Sequence, residues 1–517
     1  MFDKMKINKL IYGALFASLM CATSCDDWMD INHDPDNPEA VDPSSMLAGI
    51  EVGSAYNLMS WDYALVGGVW INYFTQMGTA SQFKDTERYN TEYFANTWSN
   101  FYTRQLMEAK TMCNSVEDNS GYKMIGELIQ VFDFQYIVDT WGDVPYTEAL
   151  NDQIPSPKFD KAQDIYADLL KRVNAVIDNY EKGVYTQAVE ASNDFVFEGD
   201  LSMWFKFARS LKLKLMLRLS ETYSYSNSEV LDFIKQGNLL EDKGAVISGS
   251  IFGSQSTKFH PLAEIENGKM ISVNINASRS IVAYMSNDPR LEKVFTKLSD
   301  QKIHGRPQGN FNYTGDDDNN GTNDHDQEFS KLIIDNNADL QLISVWQNYF
   351  NIAEVYARAN DFVTAETYYE KAVLASLNYW GVESSSEAVI GADGYAQWKN
   401  IDDSEKAIEL ISLQRWAAFL MTQHSEAFID YNRTKYPRVW TKTLSELNGN
   451  WNFETDFPTS GCLILSQVGE SKLGGQLPAS AMYPLDEVLN LNSNAPSQKA
   501  DNSVKVFWNT RNKIVLQ

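Results

Sequence analysis

The 517-residue chain carries a formal net charge of −26, with 43 Lys and Arg residues against 69 Asp and Glu residues. Such an acidic chain without a basic run argues against binding to nucleic acid or to an anionic lipid surface, because both require clustered positive charge. Hydrophobic residues make up 44% and aromatic residues 13% of the chain. This composition predicts a packed globular body with more aromatic side chains than its core requires.

The first 24 residues predict a signal peptide. Three lysines precede an apolar run over residues 10–21, which is too short to cross a bilayer. Small residues then precede Cys25 in a pattern that resembles a bacterial lipoprotein cleavage site. We therefore expect Cys25 to carry acyl chains such as palmitate, and residues 25–43, rich in Asp, Asn and Pro, to form a tether. Ordinary secretion with an unmodified Cys25 is the alternative.

Residues 44–77 are apolar and aromatic at helical spacing, and the pair Gly67 and Gly68 permits a kink. Residues 78–96 lose that period, mix polar with aromatic side chains, and are predicted to form a loop. The same helical period predicts further helices over residues 98–116, 124–138, 160–177, 201–220 and 407–432. Asp160 is predicted to cap the third of these.

The predicted helix over residues 201–220 carries five Lys and Arg side chains beside an apolar stripe. In so acidic a protein we expect internal carboxylates, rather than a polyanion, to pair with these cations. Beyond the leader only two cysteines remain, Cys113 and Cys462. A single disulfide and two buried free thiols fit the sequence equally well.

Between residues 240 and 330 the helical period weakens, and Gly, Ser, Asn and Asp become frequent. Only residues 281–285 and 291–298 have a helical pattern. We expect a long, irregular excursion from the helical body, and long loops on a rigid scaffold commonly carry function.

Residues 346–380 predict a helical hairpin of the tetratricopeptide type. An apolar stripe covers residues 349–356, Asn360 suits a left-handed turn, and Ala365 and Ala372 place small residues where two helices approach. One such hairpin cannot bury its own apolar face, so neighbouring helical pairs are implied. The predicted fold class is therefore mostly all-α, with tetratricopeptide-type hairpins forming the scaffold.

The sequence contains no His or Cys pair at metal-ligand spacing, nucleophile elbow, phosphate loop or dinucleotide fingerprint. One stretch resembles the start of a calcium-binding loop, with Asp316, Asp318, Asn320 and Asp324 as oxygen ligands. The Glu expected later in such a loop is replaced by Gln327. We therefore predict no cofactor, with a calcium ion as the lesser alternative to a solvated acidic loop.

Four stretches of the sequence form an ordered set: residues 139–146, 199–211, 288–291 and 432–437. Together, in this order, they resemble the SusD/RagB family of Bacteroidetes surface lipoproteins along nearly the whole mature chain. The sequence departs from the family pattern in three places, because Asn432 stands where Arg is usual, Lys435 where Gly is usual, and residues 479–481 where an Arg pair is expected. We interpret these positions as structural.

The resemblance implies a single SusD-like helical domain over residues 44–517, with a ligand-binding excursion at about 240–330. It implies a lipid-anchored protein on the outer face of the outer membrane. Such proteins capture an oligosaccharide, or in some cases a peptide, and act as the lid of a SusC-like TonB-dependent transporter. The resemblance implies binding without catalysis.

Sugars present apolar C–H faces edged with hydroxyls, which aromatic rings and Asn side chains recognise. The resemblance places the ligand site on an early loop and on the excursion before the central hairpin, here residues 78–96 and 304–329. For each ring, core packing is the alternative. The predicted ligand contacts are Trp61, Phe83, Tyr89, Asn90, Tyr93, Asn310, Phe311, Asn312 and Tyr313.

Three other functions remain open from the residues alone. A peptide-binding lid would favour a deep cavity over an exposed aromatic arc. A surface glycoside hydrolase would need two carboxylates converging in a cleft, which 69 acidic residues leave open. A structural scaffold would bind neither a ligand nor a transporter.

Overall fold

The computed structural model describes residues 42–78, 80, 84–89, 94–253, 259–309, 328–442, 446, 457–458, 461–469 and 471–516. Within these ranges the chain is mostly helical, as the sequence predicts, and none of the helices is both long and apolar enough to cross a bilayer. The α-helices are α1 (Pro43–Leu58), α2 (Gly68–Trp70), α3 (Lys84–Glu87), α4 (Ala95–Asn100), α5 (Leu106–Ser115), α6 (Gly121–Trp141), α7 (Ala162–Glu181), α8 (Leu201–Arg218), α9 (Asn227–Lys235), α10 (Pro261–Asn267), α11 (Arg279–Tyr284), α12 (Leu291–Val294), α13 (Val345–Arg358), α14 (Phe362–Tyr379), α15 (Glu387–Ile390), α16 (Ser404–Phe419) and α17 (His424–Thr434).

Short strands join distant parts of the chain in pairs. Strand β1 pairs antiparallel with β5, β2 with β3, and β4 with β6, whereas β7 and β8 are parallel. Three segments, Trp61–Gly67, Phe101–Gln105 and Leu485–Leu489, are π-helical. The strands are β1 (Phe74–Gln76), β2 (Val144–Pro145), β3 (Phe159–Asp160), β4 (Ala245–Ile247), β5 (Ile275–Ala277), β6 (Leu340–Ile343), β7 (Arg438–Trp440) and β8 (Cys462–Ile464).

Helices α13 and α14 form the predicted hairpin. Asn360 adopts the left-handed conformation at the turn, with φ +59°, and the side chain of Asp361 accepts the amide of Thr364 to start α14. Ala365 and Ala372 are fully buried, as expected of small residues at a close helix contact. The apolar stripe of the first helix is buried at its centre and half-exposed at its two ends.

Two of the five cations of α8, Lys214 and Arg218, pair with internal carboxylates, which confirms the prediction for these two. Arg209 instead donates to the main-chain oxygens of Gly237 and Phe233. The Lys214 amine forms an ion pair with Glu426, with 2.9 Å between Nζ and the carboxylate oxygen, and Arg218 donates to Asp139 at 3.1 Å and also to Glu426. All these side chains are nearly inaccessible to solvent. Buried charges of this kind persist only when paired, so the network ties α6, α8 and α17 together.

The sequence Asp-Thr-Trp-Gly-Asp-Val-Pro-Tyr at residues 139–146 forms the end of α6 and the turn after it. Helix α6 continues to Trp141, three residues beyond the predicted end, and stops at Gly142 with φ +85°. Asp143 then accepts the amide of Ala162 at 2.9 Å and so starts α7. The prediction that Asp160 caps this helix is wrong, because its carboxylate accepts the amides at residues 146 and 147 instead.

The single helix predicted over residues 407–432 is wrong, because the chain forms two helices, α16 and α17. Between them Met421 has φ +63°, and the amide of Met421 donates to Nε2 of His424 at 2.8 Å. The break contains no Gly or Pro, so the sequence carries no ordinary signal for it. Its cause is tertiary: the His424 ring also lies 2.7 Å from the main-chain oxygen of Ala64.

The two cysteines of the described chain are free and buried. Cys113 lies on α5 and Cys462 on β8, and burial raises the pKa of each thiol to about 12. Of the two alternatives that the sequence left open, the structure has the pair of free thiols.

Candidate functional site

The structure describes two of the nine predicted ligand contacts. Trp61 opens the first π-helical segment and is half-buried against the core. Tyr89 is only 2% exposed. The residues that lie outside the described ranges are Phe83, Asn90, Tyr93, Asn310, Phe311, Asn312 and Tyr313, the calcium-loop residues Asp316, Asp318, Asn320 and Asp324, and the predicted lipidation site Cys25.

Tyr89 packs in the core rather than facing solvent. Its hydroxyl accepts the amide of Ser466 at 3.1 Å, and its ring lies so close to Gly469 that a Cβ there would approach a ring carbon to 2.7 Å. In this conformation Tyr89 supports the loop that contains it. That placement favours packing, and ligand contact by Tyr89 stays a prediction.

The structure brings the bases of the two predicted binding loops together on one strand pair. Strand β1 leads into the early loop. Strand β5 lies near the middle of the excursion, and the main-chain oxygen of Ala277 accepts the amide of Arg306, at the start of the second loop, at 2.8 Å. The two strands pair in register, with Phe74 opposite Ala277. The amide of Ser278 extends the contact by donating to the main-chain oxygen of Tyr73 at 3.1 Å.

Gln308 joins the excursion to the base of the early loop. Its side-chain nitrogen donates to the main-chain oxygens of Val69 at 2.9 Å and Phe74 at 2.7 Å. Its side-chain oxygen accepts the hydroxyl of Ser278 at 3.0 Å. Gln308 is 1% exposed. This one amide therefore joins three segments of chain in a buried site, where a hydrogen bond is stronger than in water.

The two ends of the segment formed by residues 310–327 lie side by side. The amide of His304 donates to the hydroxyl of Ser330 at 3.0 Å, and the amide of Ser330 donates back to the main-chain oxygen of His304 at 2.9 Å. The fully buried Arg306 guanidinium lies 5.0 Å from the ring of Phe329. The described residues on either side of segment 310–327 are therefore held together beside β5.

Glu87 holds the early loop from the other side. Its carboxylate is fully buried and accepts the hydroxyl of Thr75 at 2.7 Å and the amide of Gln76 at 3.0 Å. Burial raises the pKa of this carboxyl group to about 7, against the opposing effect of those two hydrogen bonds. The short helix α3 is thus fixed to β1 through a side chain that ionises near neutral pH.

A third segment, the chain after β8, contacts Gln308 and Gly309. The amide of Gln467 donates to the main-chain oxygen of Gln308 at 3.2 Å. Gly309 has φ +71°, and a Cβ at that position would lie 2.2 Å from the hydroxyl oxygen of Ser466. We call β1, β5, Glu87, residues 304–309 and residues 466–467 the clasp.

The contacts of the clasp fix the positions of the two loops relative to each other. Among the residues that the structure describes, no group of three or more His, Cys, Asp and Glu side chains could hold a metal ion. The clasp residues were missed by sequence reasoning, because Gln308, Glu87 and Arg306 stand in no motif. The arrangement is what a binding surface built from two loops requires, namely a rigid base that fixes their relative position.

Solved structures with the same fold come from several species. A SusD homologue from Bacteroides uniformis matches with a TM-score of 0.66 and 20% identity, over 90% of this chain and 99% of that chain. A chitin-binding SusD homologue from Flavobacterium johnsoniae matches with a TM-score of 0.67 and 17% identity, over 91% of this chain and 98% of that one. A SusD/RagB family protein from Bacteroides thetaiotaomicron matches with a TM-score of 0.65 and 19% identity, over 92% and 100%. At these identities the likeness establishes the fold alone.

Sequence comparison settles the family. A search of curated proteins found no significant match. By contrast, the SusD-like family model, described as starch-binding and associating with the outer membrane, matches residues 35–453. That range covers most of the chain. It includes the whole clasp except residues 466–467, and it includes the central hairpin and helices α16 and α17. The chain therefore belongs to the SusD-like family.

Proposed function

We propose that this protein is a cell-surface lipoprotein that captures an oligosaccharide and acts as the lid of a SusC-like TonB-dependent transporter. Binding takes place on the two loops held by the clasp. The protein acts by recognition and delivery, without catalysis.

The observation that carries the proposal is the clasp itself. Two loops separated by more than 200 residues of sequence meet at one strand pair, where the amide of Arg306 donates to Ala277 and the side chain of Gln308 bonds to the chain around β1. Both loops are rich in aromatic and Asn residues, which supply the stacking faces and hydroxyl partners that a sugar needs. The family description and the chitin-binding relative support a saccharide as the ligand.

An oligosaccharide is favoured over a peptide by the kind of side chains on the loops. Phe83, Tyr93, Phe311 and Tyr313 offer uncharged rings, and Asn90, Asn310 and Asn312 offer amides. A peptide would be recognised mainly through its main-chain hydrogen bonds or its charged ends. We therefore place the ligand on an open aromatic surface rather than in a deep cavity.

The binding test compares loop variants with a surface control. Phe311→Ala and Tyr313→Ala should each lower affinity for the cognate glycan roughly tenfold, because stacking on a ring contributes about 1–1.5 kcal/mol. The control is Tyr223→Ala, since Tyr223 is a fully exposed aromatic residue outside both loops. Affinity gels with soluble polysaccharides and microarrays of oligosaccharides and peptides would identify the class. Binding of peptides only, or unchanged glycan affinity in both loop variants, would refute the proposal.

The membrane anchor has its own test. Metabolic labelling with a clickable palmitate analogue should mark the wild-type protein and leave Cys25→Ser unlabelled, because the acyl chains attach at that residue. Protease treatment of intact cells should remove the wild-type protein from the surface. Co-purification with a β-barrel transporter from solubilised outer membranes tests the lid role. A Cys25→Ser protein that stays in the membrane fraction would contradict the anchor.

A further inference from the structure

Glu87 is a buried carboxyl group at the junction of the clasp. The described residues that stabilise its charge are neutral hydrogen-bond donors rather than cations. Oε1 accepts from Thr75 and Gln76. Oε2 has no hydrogen bond of ordinary geometry among the described residues, although the hydroxyl of Ser466 and the amide of Gly309 lie near enough to favour the ionised form. A fully buried carboxyl group without a cation holds its proton more tightly than one in water.

The four donors around Glu87 belong to three separate segments of the clasp, namely β1, residues 304–309 and the chain after β8. The main chain of α3 is enclosed as tightly. The indole nitrogen of Trp70 donates to the main-chain oxygen of Thr86 at 3.3 Å. A Cβ at Gly469 would lie 2.4 Å from the main-chain oxygen of Glu87. Water therefore reaches the carboxyl group only when these segments separate.

We propose that Glu87 is a proton-sensitive switch in the clasp, which favours the closed clasp when it is protonated and the open clasp when it is ionised. The physical reason is solvation. In the closed clasp the carboxyl group is buried, whereas in the open clasp it is in water, and burial penalises the charged form alone. Uptake of a proton therefore stabilises the closed clasp. The inference deepens the proposed function and rests on it, because the clasp positions the two loops that bind the ligand.

The direction and the pH range follow from the pKa of Glu87. Burial raises this pKa from 4.5 to about 7 in the closed clasp, and the solvated carboxyl group of the open clasp returns to its ordinary value. Between these two values the closed clasp binds more protons than the open one, so the free energy of opening falls as the pH rises. We expect the open clasp to be about tenfold to a hundredfold more populated at pH 8 than at pH 5.

Two histidines lie among the neighbours of Glu87. His424 packs against β1, but burial lowers its pKa to about 4, so it stays neutral across this range. His304 pairs with Asp300 at 2.8 Å, and a histidine can also change charge in this range. The switch therefore has to be distinguished from His304 by experiment. Strands β1 and β5, helix α2 and residues 466–469 carry no ionisable side chain, and the ionisable residues on the other elements around Glu87 are Lys84, Asp85, Arg88, Tyr89, His304, Arg306 and His424.

The test is hydrogen–deuterium exchange of the full mature protein without ligand. The amide of Gln76 donates to Glu87, and that of Gln467 donates to the main-chain oxygen of Gln308, so both report opening of the clasp. After correction for the intrinsic exchange rate, their protection factors should fall about tenfold to a hundredfold from pH 5 to pH 8. Glu87→Gln is neutral at every pH and keeps a side-chain oxygen for the amide of Gln76. This variant should retain high protection throughout.

Thr75→Val gives a second variant of nearly the same shape. It removes one donor to the carboxylate, so it should raise the pKa of Glu87 and move upward the pH at which protection stops falling. His304→Gln should leave the fall in place. Asp133→Asn is the matched control, because Asp133 is also a fully buried carboxyl group, with a pKa raised to about 8 by burial, but lies on α6 outside the clasp. It should change the pH dependence of global unfolding and leave that of the two amides unchanged.

Protection factors that are equal at pH 5 and pH 8 in the wild type overturn the switch, and so does a Glu87→Gln variant that keeps the wild-type fall. Both results leave the proposed function in place, because the loop surface is tested by Phe311→Ala and Tyr313→Ala. A normal fall in protection, with glycan retention unchanged in both loop variants, overturns the loop surface alone. With both in place, glycan retention should be stronger at pH 5 than at pH 8, and Glu87→Gln should remove the difference. Equal retention at the two pH values would overturn regulation of binding by the switch.

Discussion

The amine of Lys435 donates to Oδ1 of Asn432 at 3.3 Å, at the point where α17 ends. Lys435 is 4% exposed and has φ +63°. This left-handed conformation costs free energy for Lys and little for Gly. Both positions depart from the family pattern, with Asn in place of Arg and Lys in place of Gly. The side chains at these two positions therefore contact each other, and the left-handed conformation of Lys435 strains the helix end.

Lys435→Gly should stabilise the protein by about 1 kcal/mol, because it relieves the left-handed strain. It should also change the pH dependence. Burial lowers the pKa of Lys435 to about 7 from its ordinary 10.5, so between these values the unfolded chain binds more protons. The unfolding free energy of the wild type should therefore rise with pH across that window. Urea unfolding between pH 6 and about pH 10 measures the slope, which the variant should flatten; the exposed Lys171→Ala is the control.

Glu354→Gln should destabilise the protein strongly. Glu354 is fully buried and accepts from Arg433, Arg415 and Arg358, which belong to three different helices. Removing its charge leaves buried guanidinium groups underpaired, at a loss of about 3–5 kcal/mol in unfolding free energy.

The matched control for Glu354→Gln is Asp402→Asn. Asp402 pairs with Lys406 at 2.6 Å on the exposed surface, where an ion pair contributes less than about 1 kcal/mol. Chemical denaturation of both variants gives the comparison. Equal losses of unfolding free energy in the two variants would mean that the buried ion pairs of Glu354 stabilise the fold no more than an exposed ion pair does.

Gln308→Glu should weaken both stability and glycan binding. A carboxylate at this position would face the main-chain oxygens of Val69 and Phe74, which now accept from the amide nitrogen. Two lost hydrogen bonds in a buried site should lower the unfolding free energy by about 1–3 kcal/mol. The exposed Gln153→Glu makes the same chemical change in solvent and should be neutral. Retention on a glycan gel that stays normal in Gln308→Glu would show that the clasp does not position the loops.

Gly309→Ala tests close contact in the clasp separately from backbone conformation. Gly309 has φ +71°, and an added Cβ would meet Ser466 and the amide of Gln467 at 2.6 Å or less. Gly237 has nearly the same φ, +73°, with nothing within 4 Å of an added Cβ. Gly237→Ala should cost only the conformational strain of about 1–2 kcal/mol. Gly309→Ala should cost more, measured by thermal unfolding, and should also lower glycan affinity.

The two cysteines should be unreactive in the folded protein. Both thiols are buried and their pKa values are raised to about 12, so almost none of either is thiolate at neutral pH. Alkylation followed by mass spectrometry should modify them only after denaturation. A reducing agent should leave the melting temperature unchanged; a fall would indicate a disulfide.

The sequence predicted those parts of the fold that have a local cause. The 3.6-residue period and the turn at Asn360 were sufficient for the central hairpin. From net charge alone, the cations of α8 were predicted to pair with internal carboxylates, and this is correct for Lys214 and Arg218. The end of α6 was missed by three residues because Gly142, rather than the polar residues before it, stops the helix.

The features that the sequence did not predict depend on distant parts of the chain. The break between α16 and α17 depends on His424 contacting Ala64, and β1 exists only because β5 lies beside it. Tyr89 illustrates the same limit at the site, since an aromatic residue in a polar loop suggested exposure, whereas its ring is buried. Gln308 has no local signal at all, because its three partners lie elsewhere in the sequence.

The pairing of β1 with β5 has a consequence for motion. Each strand is only three residues long, so the ladder can open as one small cooperative unit, and a single opening event would release the roots of both loops. The amides of Met77 and Ser278 donate across the strand pair, to the main-chain oxygens of Asn274 and Tyr73. Their hydrogens should therefore exchange with solvent deuterium at matching rates. A ligand bound by both loops should slow the exchange of both amides by the same factor. This pair of amides would therefore report ligand binding.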